Sequence, residues 1–360
     1  MSLLQKARIL GEAGKFDSCG PKQCEVKVKN NLTGLYHAES ENKNCIMLKT
    51  LMTNKCGFDC KYCPNSTRSK PTSKAEYTPQ ELLKVFESAK NKLNINGLFL
   101  SSGIPHMQEE TMNNMLDSVA MIRKKFTGYI HLKIMPGTPY DLVRRAARLS
   151  NRVSINIEAP NNASLSEMSD CKDLKTDILR RQAWLKKLNV SQSTQMIVKK
   201  QDTDKDILKM ANWEYKNMNL KRVYYSAFTP VKGTPMMQEK KESTMRQNNL
   251  YKADFLMKQY NYKLQEILNV MNEDMLTKQD PKLLIAREEI RNRIDVNEAS
   301  RDELIRIPGI GLKATSKIIS TREKQKIMNM KEIQKLGANI KQAAPFLRVN
   351  GKIQTTLTSF

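Results

Sequence analysis

Aromatic residues are scarce in this chain, 6% of its 360 residues with only 2 Trp, so its core must be built from aliphatic side chains and its 20 Met. It contains no run of about 18 apolar residues, which excludes a membrane-spanning helix. The stretch Met1 to Leu10 is mixed and polar, without the apolar segment of a secretory leader. A cytoplasmic protein with no membrane partner is therefore expected. Histidine is nearly absent, 3 in all, and no second Cys-x2-Cys pair or His-x3-His pair exists to complete a zinc site. The 7 cysteines do not form a disulfide framework in a chain of this size, because 3 of them are clustered in one loop. Acidic residues are also in deficit: 37 Asp and Glu face 61 Lys and Arg, a formal charge of +24. Such an excess goes beyond what solubility requires and points to a polyanionic partner, for which nucleic acid is the natural candidate; a lysine-rich composition with a merely solvated surface is the bland alternative.

What is present is concentrated in Cys56-Gly57-Phe58-Asp59-Cys60-Lys61-Tyr62-Cys63. Thiolates at this Cys-x3-Cys-x2-Cys spacing can hold three irons of a [4Fe-4S] cluster and leave the fourth open for a distant ligand or a small molecule. Cys19 and Cys24, with Cys45, could form a second metal centre or be ordinary thiols. Cys171 stands alone in a polar stretch.

From about Cys45 to Pro235 short apolar runs alternate with amphipathic helical patterns, the signature of βα units and a parallel sheet. The runs Cys45–Leu51, Gly97–Ser101, Tyr129–Met135, Val153–Ile157, Thr194–Val198 and Arg222–Ala227 read as strands. The segments Pro79–Leu93, Glu109–Phe126, Tyr140–Ser150, Lys175–Leu188 and Asp204–Met218 read as helices. Six such repeats predict an α/β fold, a partial (β/α)6 barrel with the cysteine loop at the C-terminal end of the first strand, where barrels of this kind place their sites. The chain then divides into an N-terminal extension (1–44), the barrel (45–235), a helical bridge (236–291) and a small all-α module (292–360).

Alternation places Ser154, Asn156 and Glu158 on one face of their strand and Ile155 and Ile157 on the other. A polar inward face suits a wet cavity, in which Glu158 could accept hydrogen bonds from a ribose. His131 and Lys133 share a face in the same way, either toward a ligand or as strand-end polar groups. Tyr225 either lies near a ligand or packs. Ser101-Ser102-Gly103 ends a buried strand in small residues, and Pro230 to Pro235 follows the last candidate strand; each alone reads only as a turn.

In the last module a capping box from Ser300 to Glu303 opens a helix that breaks at Pro308-Gly309-Ile310-Gly311, and a second helix begins near Leu312. This is a helix-hairpin-helix pattern. The amides near Gly309 and Gly311, with Lys313 beside them, make an anion site that would grip phosphate without reading bases, unless the hairpin serves only protein contacts. A weaker echo at Ile333 to Ala343 lacks the second glycine and reads as a degenerate second hairpin.

The cysteine loop resembles the signature of the radical S-adenosylmethionine enzymes. More widely, the chain resembles a DNA modification or repair family within them, whose genes tend to lie beside that of a uracil-DNA glycosylase-like protein. The resemblance is carried by Leu51 to Cys56, Gly97 to Gly103, Gly128 to Lys133, Ser154 to Glu158, Leu250 to Asp254 and the Pro-Gly-Ile-Gly hairpin. The residues before Gly97 are less aromatic than in that family, and Pro64-Asn65-Ser66 after the last cysteine also departs from it. The resemblance implies S-adenosyl-L-methionine chelating the open iron, Tyr62 beside the cofactor, and Ser102 and Gly103 at its methionyl amino group. It further implies DNA as substrate, with RNA as the runner-up polymer, a reductant such as ferredoxin or flavodoxin, and a glycosylase-like partner. A cluster that is only structural or redox-sensing in a DNA-binding protein is the non-enzymatic reading.

Overall fold

The computed structural model describes residues 1–16, 27–29, 32–40 and 43–352, with backbone alone for 16, 27–29, 32–34, 36–40 and 43–45. Helix α1 (Leu3–Ala13) starts at a capping box between Ser2 and Gln5. Strands β1 (Lys27–Lys29), β2 (Leu32–Ser40) and β3 (Lys43–Leu51) follow, and then α2 (Pro79–Leu93), whose capping box joins Thr78 and Glu81 and whose end is the left-handed Asn94. Leu82, Val85, Phe86 and Ala89 recur at helical spacing and are the buried face of α2. The alternation continues through β4 (Gly97–Ser101), α3 (Gln108–Arg123), β5 (Tyr129–Lys133), α4 (Tyr140–Leu149), β6 (Arg152–Ser154), α5 (Asn162–Met168), α6 (Arg180–Lys187), β7 (Gln192–Val198), α7 (Asp204–Met218) and β8 (Arg222–Ala227).

Strands β3 to β8 pair in sequence order, each parallel to the last, so six parallel strands form the half-barrel that the periodicity predicts. Among the described residues before β3, β1 and β2 run antiparallel and widen the sheet to eight strands. Two strands are shorter than the sequence suggests: β5 stops at Lys133 and β6 at Ser154, and the chain bridges to β7 again at Glu158, φ +61, opposite Met196.

The parallel strands have one apolar and one polar face. Leu98, Leu100, Ile130, Leu132 and Val153 are fully buried. On the opposite face a strip crosses β3 to β6: the Lys49 ammonium lies 5.3 Å from the centre of the Phe99 ring, Phe99 meets His131 edge-on at 4.7 Å, and His131 Nε2 lies 2.9 Å from Ser154 Oγ. In a parallel sheet covered on both faces such a strip requires partners for every polar atom.

A second compact unit comprises Asn248 to Phe360, the division falling inside α8 (Thr244–Gln259). It includes α9 (Leu264–Asn269), α10 (Pro281–Glu289), β9 (Ile294–Asp295), α11 (Arg301–Arg306), α12 (Leu312–Arg322), α13 (Met330–Lys335), α14 (Ile340–Ala343) and β10 (Leu347–Arg348). Its core joins Leu304 and Ile307 of the first hairpin to Ala314 and Ile318, and to Ile333, Ala338 and Ala343 of the second. Ala286 of α10 belongs to the same core, so the helix assigned by sequence to a bridge packs with the hairpins.

Candidate metal centre and phosphate-binding hairpin

The loop after β3 is fixed by backbone contacts. The Gly103 amide donates to the Thr53 carbonyl at 2.7 Å, Gly57 N to Ile104 O at 2.6 Å, and Lys61 N to Met168 O at 2.8 Å. Gly103 has no room for a side chain, since a Cβ there would lie 2.2 Å from the Lys55 carbonyl oxygen and 3.3 Å from Cys56 Cβ. The end of β4 is thus pressed directly against the start of the cysteine loop. Asn54 ties the other side, its amide donating to Ser73 O at 2.8 Å and its carbonyl accepting from Ala75 N at 2.7 Å.

Asp59, inside the cysteine loop, is held from the segment after α5. It accepts from Ser169 Oγ at 2.6 Å, Asp170 N at 3.0 Å and Cys171 N at 3.3 Å. Burial works against its charge, but these donors outweigh it and hold the carboxyl down at about 2. Ser169 Oγ also lies 3.8 Å from Cys60 Sγ. Cys60 is buried, Cys56 and Cys63 are half-buried, and Cys171 is exposed. Burial pushes the Cys63 thiol up to about 12, so a metal must displace its proton to bind. Cys19 and Cys24, and the side chain of Cys45, lie outside the described residues.

Beyond the cysteines the structure brings together Tyr62, Asn156, Glu158 and Lys172. The Lys172 ammonium donates to the Tyr62 hydroxyl at 3.2 Å and lies 3.4 Å from Glu158 Oε1, while Asn156 Nδ2 lies 3.4 Å from Glu158 Oε2. Burial alone would strip the proton from Lys172, yet Cys60 and Glu158 beside it raise its affinity for that proton above the ordinary lysine value. Burial, with Glu158 and Cys60 adding to it, also raises Tyr62 well above an ordinary tyrosine. Glu158 itself takes a positive φ, uncommon for any residue with a side chain. Ser102 Oγ is buried with no hydrogen-bond partner, at the end of β4 beside the loop. His131 is committed to the polar strip, Lys133 is half-buried, and Tyr225 is fully buried opposite Met196 of β7.

Lys172, Asp59 and Ser169 were invisible to sequence reasoning. Asp59 at least lies inside the cysteine motif. Lys172 and Ser169 sit in a polar segment, Ser169 to Asp173, with no periodicity to mark them.

In the second unit Ser300 caps α11 as its sequence predicts, and Gly311 is the N-cap of α12 with no side-chain cap. Gly309 takes φ +80, and a Cβ there would lie 2.4 Å from Asn339 O of the second hairpin, whose amide in turn donates to Gly309 O at 2.8 Å. Among the described residues the amides of Gly311 and Lys313 have no acceptor. They form the donor end of an 11-residue helix, where anions are favoured.

Residues 50–213 match the family model of the radical SAM superfamily. The chain carries a radical SAM domain. The cofactors of such a domain are a [4Fe-4S] cluster and S-adenosyl-L-methionine. Residues 290–348 match the model of the helix-hairpin-helix motif. Among solved structures, similarity is found to methylornithine synthase (PylB), at 12% identity and TM-score 0.47 over 56% of this chain and 59% of that one. Similarity is also found to the FeFe-hydrogenase maturase HydG from Carboxydothermus hydrogenoformans, at 14% identity and TM-score 0.46 over 56% and 48%. No curated protein matches the chain.

The residues of the radical SAM domain fit both cofactors. Its donor set is all thiol, which suits iron–sulfur chemistry. Among the described residues no three His, Cys, Asp or Glu side chains converge on one point as ligands of a single ion. The unpartnered Ser102 hydroxyl, able to donate or accept, and the Lys172 ammonium beside Glu158 then suit a polar ligand that bears an amino and a carboxylate group.

Proposed function

We propose that this chain is a radical SAM enzyme that modifies or repairs DNA. The carrying observation is the combination in one chain of a three-cysteine loop, backed by buried Lys172 and Glu158, with a hairpin unit whose Gly311 and Lys313 amides have no acceptor among the described residues. Cys56, Cys60 and Cys63 would hold the cluster, leaving one iron for the methionyl end of S-adenosyl-L-methionine. When bound and reduced by one electron, from a carrier such as ferredoxin or flavodoxin, the two together supply a 5′-deoxyadenosyl radical that removes a hydrogen atom from substrate.

The residues of the chain bind, orient and shield. Lys172 is placed to neutralise a carboxylate and Ser102 to hydrogen-bond an amino group, while Gly103 keeps β4 close against the loop. Asn156 and Glu158 offer acceptors for a ribose, and Tyr62, held by Lys172, precedes the third cysteine. Asp59, locked by Ser169, fixes the loop between the first two cysteines. The hairpin amides and Lys313 would hold phosphates irrespective of base sequence, supported by the charge of +24. A base in a duplex must leave the stack to meet a radical, at a cost of a few kcal/mol. A glycosylase-like protein is the partner that this reading implies.

The test is anaerobic reconstitution followed by dithionite and S-adenosyl-L-methionine. 5′-Deoxyadenosine is measured for the wild type and Cys60→Ala, with duplex DNA, tRNA or no polymer. Product from the wild type alone, raised by duplex DNA, is expected. Stimulation by tRNA instead would move the substrate to RNA, and an intact cluster without product would make it structural.

A further inference from the structure

The turn between α11 and α12 is braced from behind by two residues that the helix-hairpin-helix pattern does not contain. Lys282, in the first turn of α10, donates from Nζ to the Ile310 carbonyl at 2.7 Å. The same ammonium stands 4.6 Å from the centre of the Tyr260 ring, within cation–π range. The Tyr260 hydroxyl accepts from the backbone of Leu312, the first residue of α12, and lies 3.3 Å from where a Cβ on Gly311 would be. Burial pushes the Lys282 ammonium down to about 8, with Asp280 opposing the loss of its charge.

Every carbonyl of the turn from Ile307 to Gly311 that has a partner is therefore satisfied inside the unit. Ile307 O accepts from Ile310 N at 3.1 Å, Gly309 O from Asn339 N at 2.8 Å, Ile310 O from Lys282, and Gly311 O from Thr315 N at 2.8 Å. The Gly311 and Lys313 amides are left without acceptors among the described residues. A tight turn whose carbonyls crowd one side concentrates negative partial charge there. The half-buried Lys282 ammonium on the Ile310 carbonyl stabilises the turn, and its field adds to that of the helix N-terminus.

We propose that Lys282 is the built-in cation of the hairpin, a positioning residue that acts through the Ile310 carbonyl and the Tyr260 ring to hold the Gly309–Gly311 turn in its phosphate-gripping shape. The proposal deepens the reading of this unit as a nucleic-acid clamp and rests on it. Lys282 differs from Lys313 in kind: Lys313 is exposed and would touch phosphate, whereas the half-buried Lys282 is held on the Ile310 carbonyl.

Binding of the full chain to a duplex DNA of arbitrary sequence is measured by fluorescence anisotropy for the wild type, Lys282→Ala, Lys282→Arg and Lys313→Ala. Ionic strength is fixed, with either tetramethylammonium or ammonium as the salt cation, and thermal melting is followed in parallel. Lys282→Ala is expected to weaken binding about tenfold, the loss of one charge-assisted hydrogen bond, with the salt dependence unchanged. Ammonium, small enough to enter the vacated space, restores much of that loss where tetramethylammonium does not, and Lys282→Arg retains affinity. Lys313→Ala is expected to lower the slope of log affinity against log salt by about one. The proposal is overturned by Lys282→Ala binding like the wild type, by a loss that ammonium does not relieve, or by a salt slope reduced as in Lys313→Ala. Absence of DNA binding by the wild type would sink the clamp reading itself, a result distinct from these three.

Discussion

The ammonium of Lys172 lies 3.4 Å from the carboxylate of Glu158, and each side chain is 7% exposed. Two opposite charges this deep are stable only as a pair, because removing one leaves the other desolvated without compensation. Lys172→Met is therefore expected to destabilise the protein by about 3 kcal/mol, and Lys172→Met with Glu158→Gln to recover much of the loss. Denaturant unfolding of the two variants checks this. Equal losses in both would mean that the pair is not coupled.

Gly103→Ala should act on the cysteine loop without touching a cysteine. Its Cβ would lie 2.2 Å from the Lys55 carbonyl oxygen, a backbone atom that cannot rotate away, so the loop must shift. The expected result is lower iron and sulfide content after anaerobic reconstitution, with a stability loss of about 1–3 kcal/mol. Wild-type iron content would show that the loop tolerates displacement.

Glu214 of α7 is fully buried, and neither carboxyl oxygen has a hydrogen-bond partner, Gln182 standing beside it outside bonding geometry. Burial pushes its carboxyl up to about 8, against the weaker effect of Gln182. Because the folded value lies above the unfolded one, the stabilisation is fully present below the ordinary carboxylate range and is lost as pH rises toward and through about 8. Denaturant stability of the wild type should thus fall between pH 5 and pH 9, as the linkage requires. Glu214→Gln should flatten that dependence; an unchanged slope in the variant would place its origin elsewhere.

Gly309→Ala tests the contact between the two hairpins. The position combines φ +80 with an approach of 2.4 Å to Asn339 O, so alanine is strained twice. A destabilisation of about 1–3 kcal/mol, with faster amide exchange in α12 and α14, is the expected outcome. Exchange confined to the α12 end would show that the second hairpin does not depend on this contact.

Much of the molecule was legible in one dimension because its signals are local. The cysteine spacing lies within eight residues, the six strands of the barrel and all its helices but the short α5 announce themselves by period, and the capping box at Ser300 and glycines at 309 and 311 mark the hairpin in a dozen. Strand ends were less legible: the sequence from Val153 to Ile157 is apolar enough to continue β6, but the positive φ at Glu158 depends on how β7 receives it. Strands β1 and β2 were missed since their residues lack clear alternation.

The sequence by itself determined the chemistry on offer, namely thiols for iron, a basic surface and a glycine-hinged hairpin, because each depends on residue types at short spacing. Only the tertiary structure decided which groups support that chemistry. Ser169 reaches Asp59 across 110 residues, Lys172 meets Glu158 and Tyr62 by the return of a loop, and Lys282 finds a carbonyl 28 residues away. Such pairings are made by chain reversals and burial, and the energy that selects them, the cost of leaving a buried polar group unpaired, exists only once the core has closed.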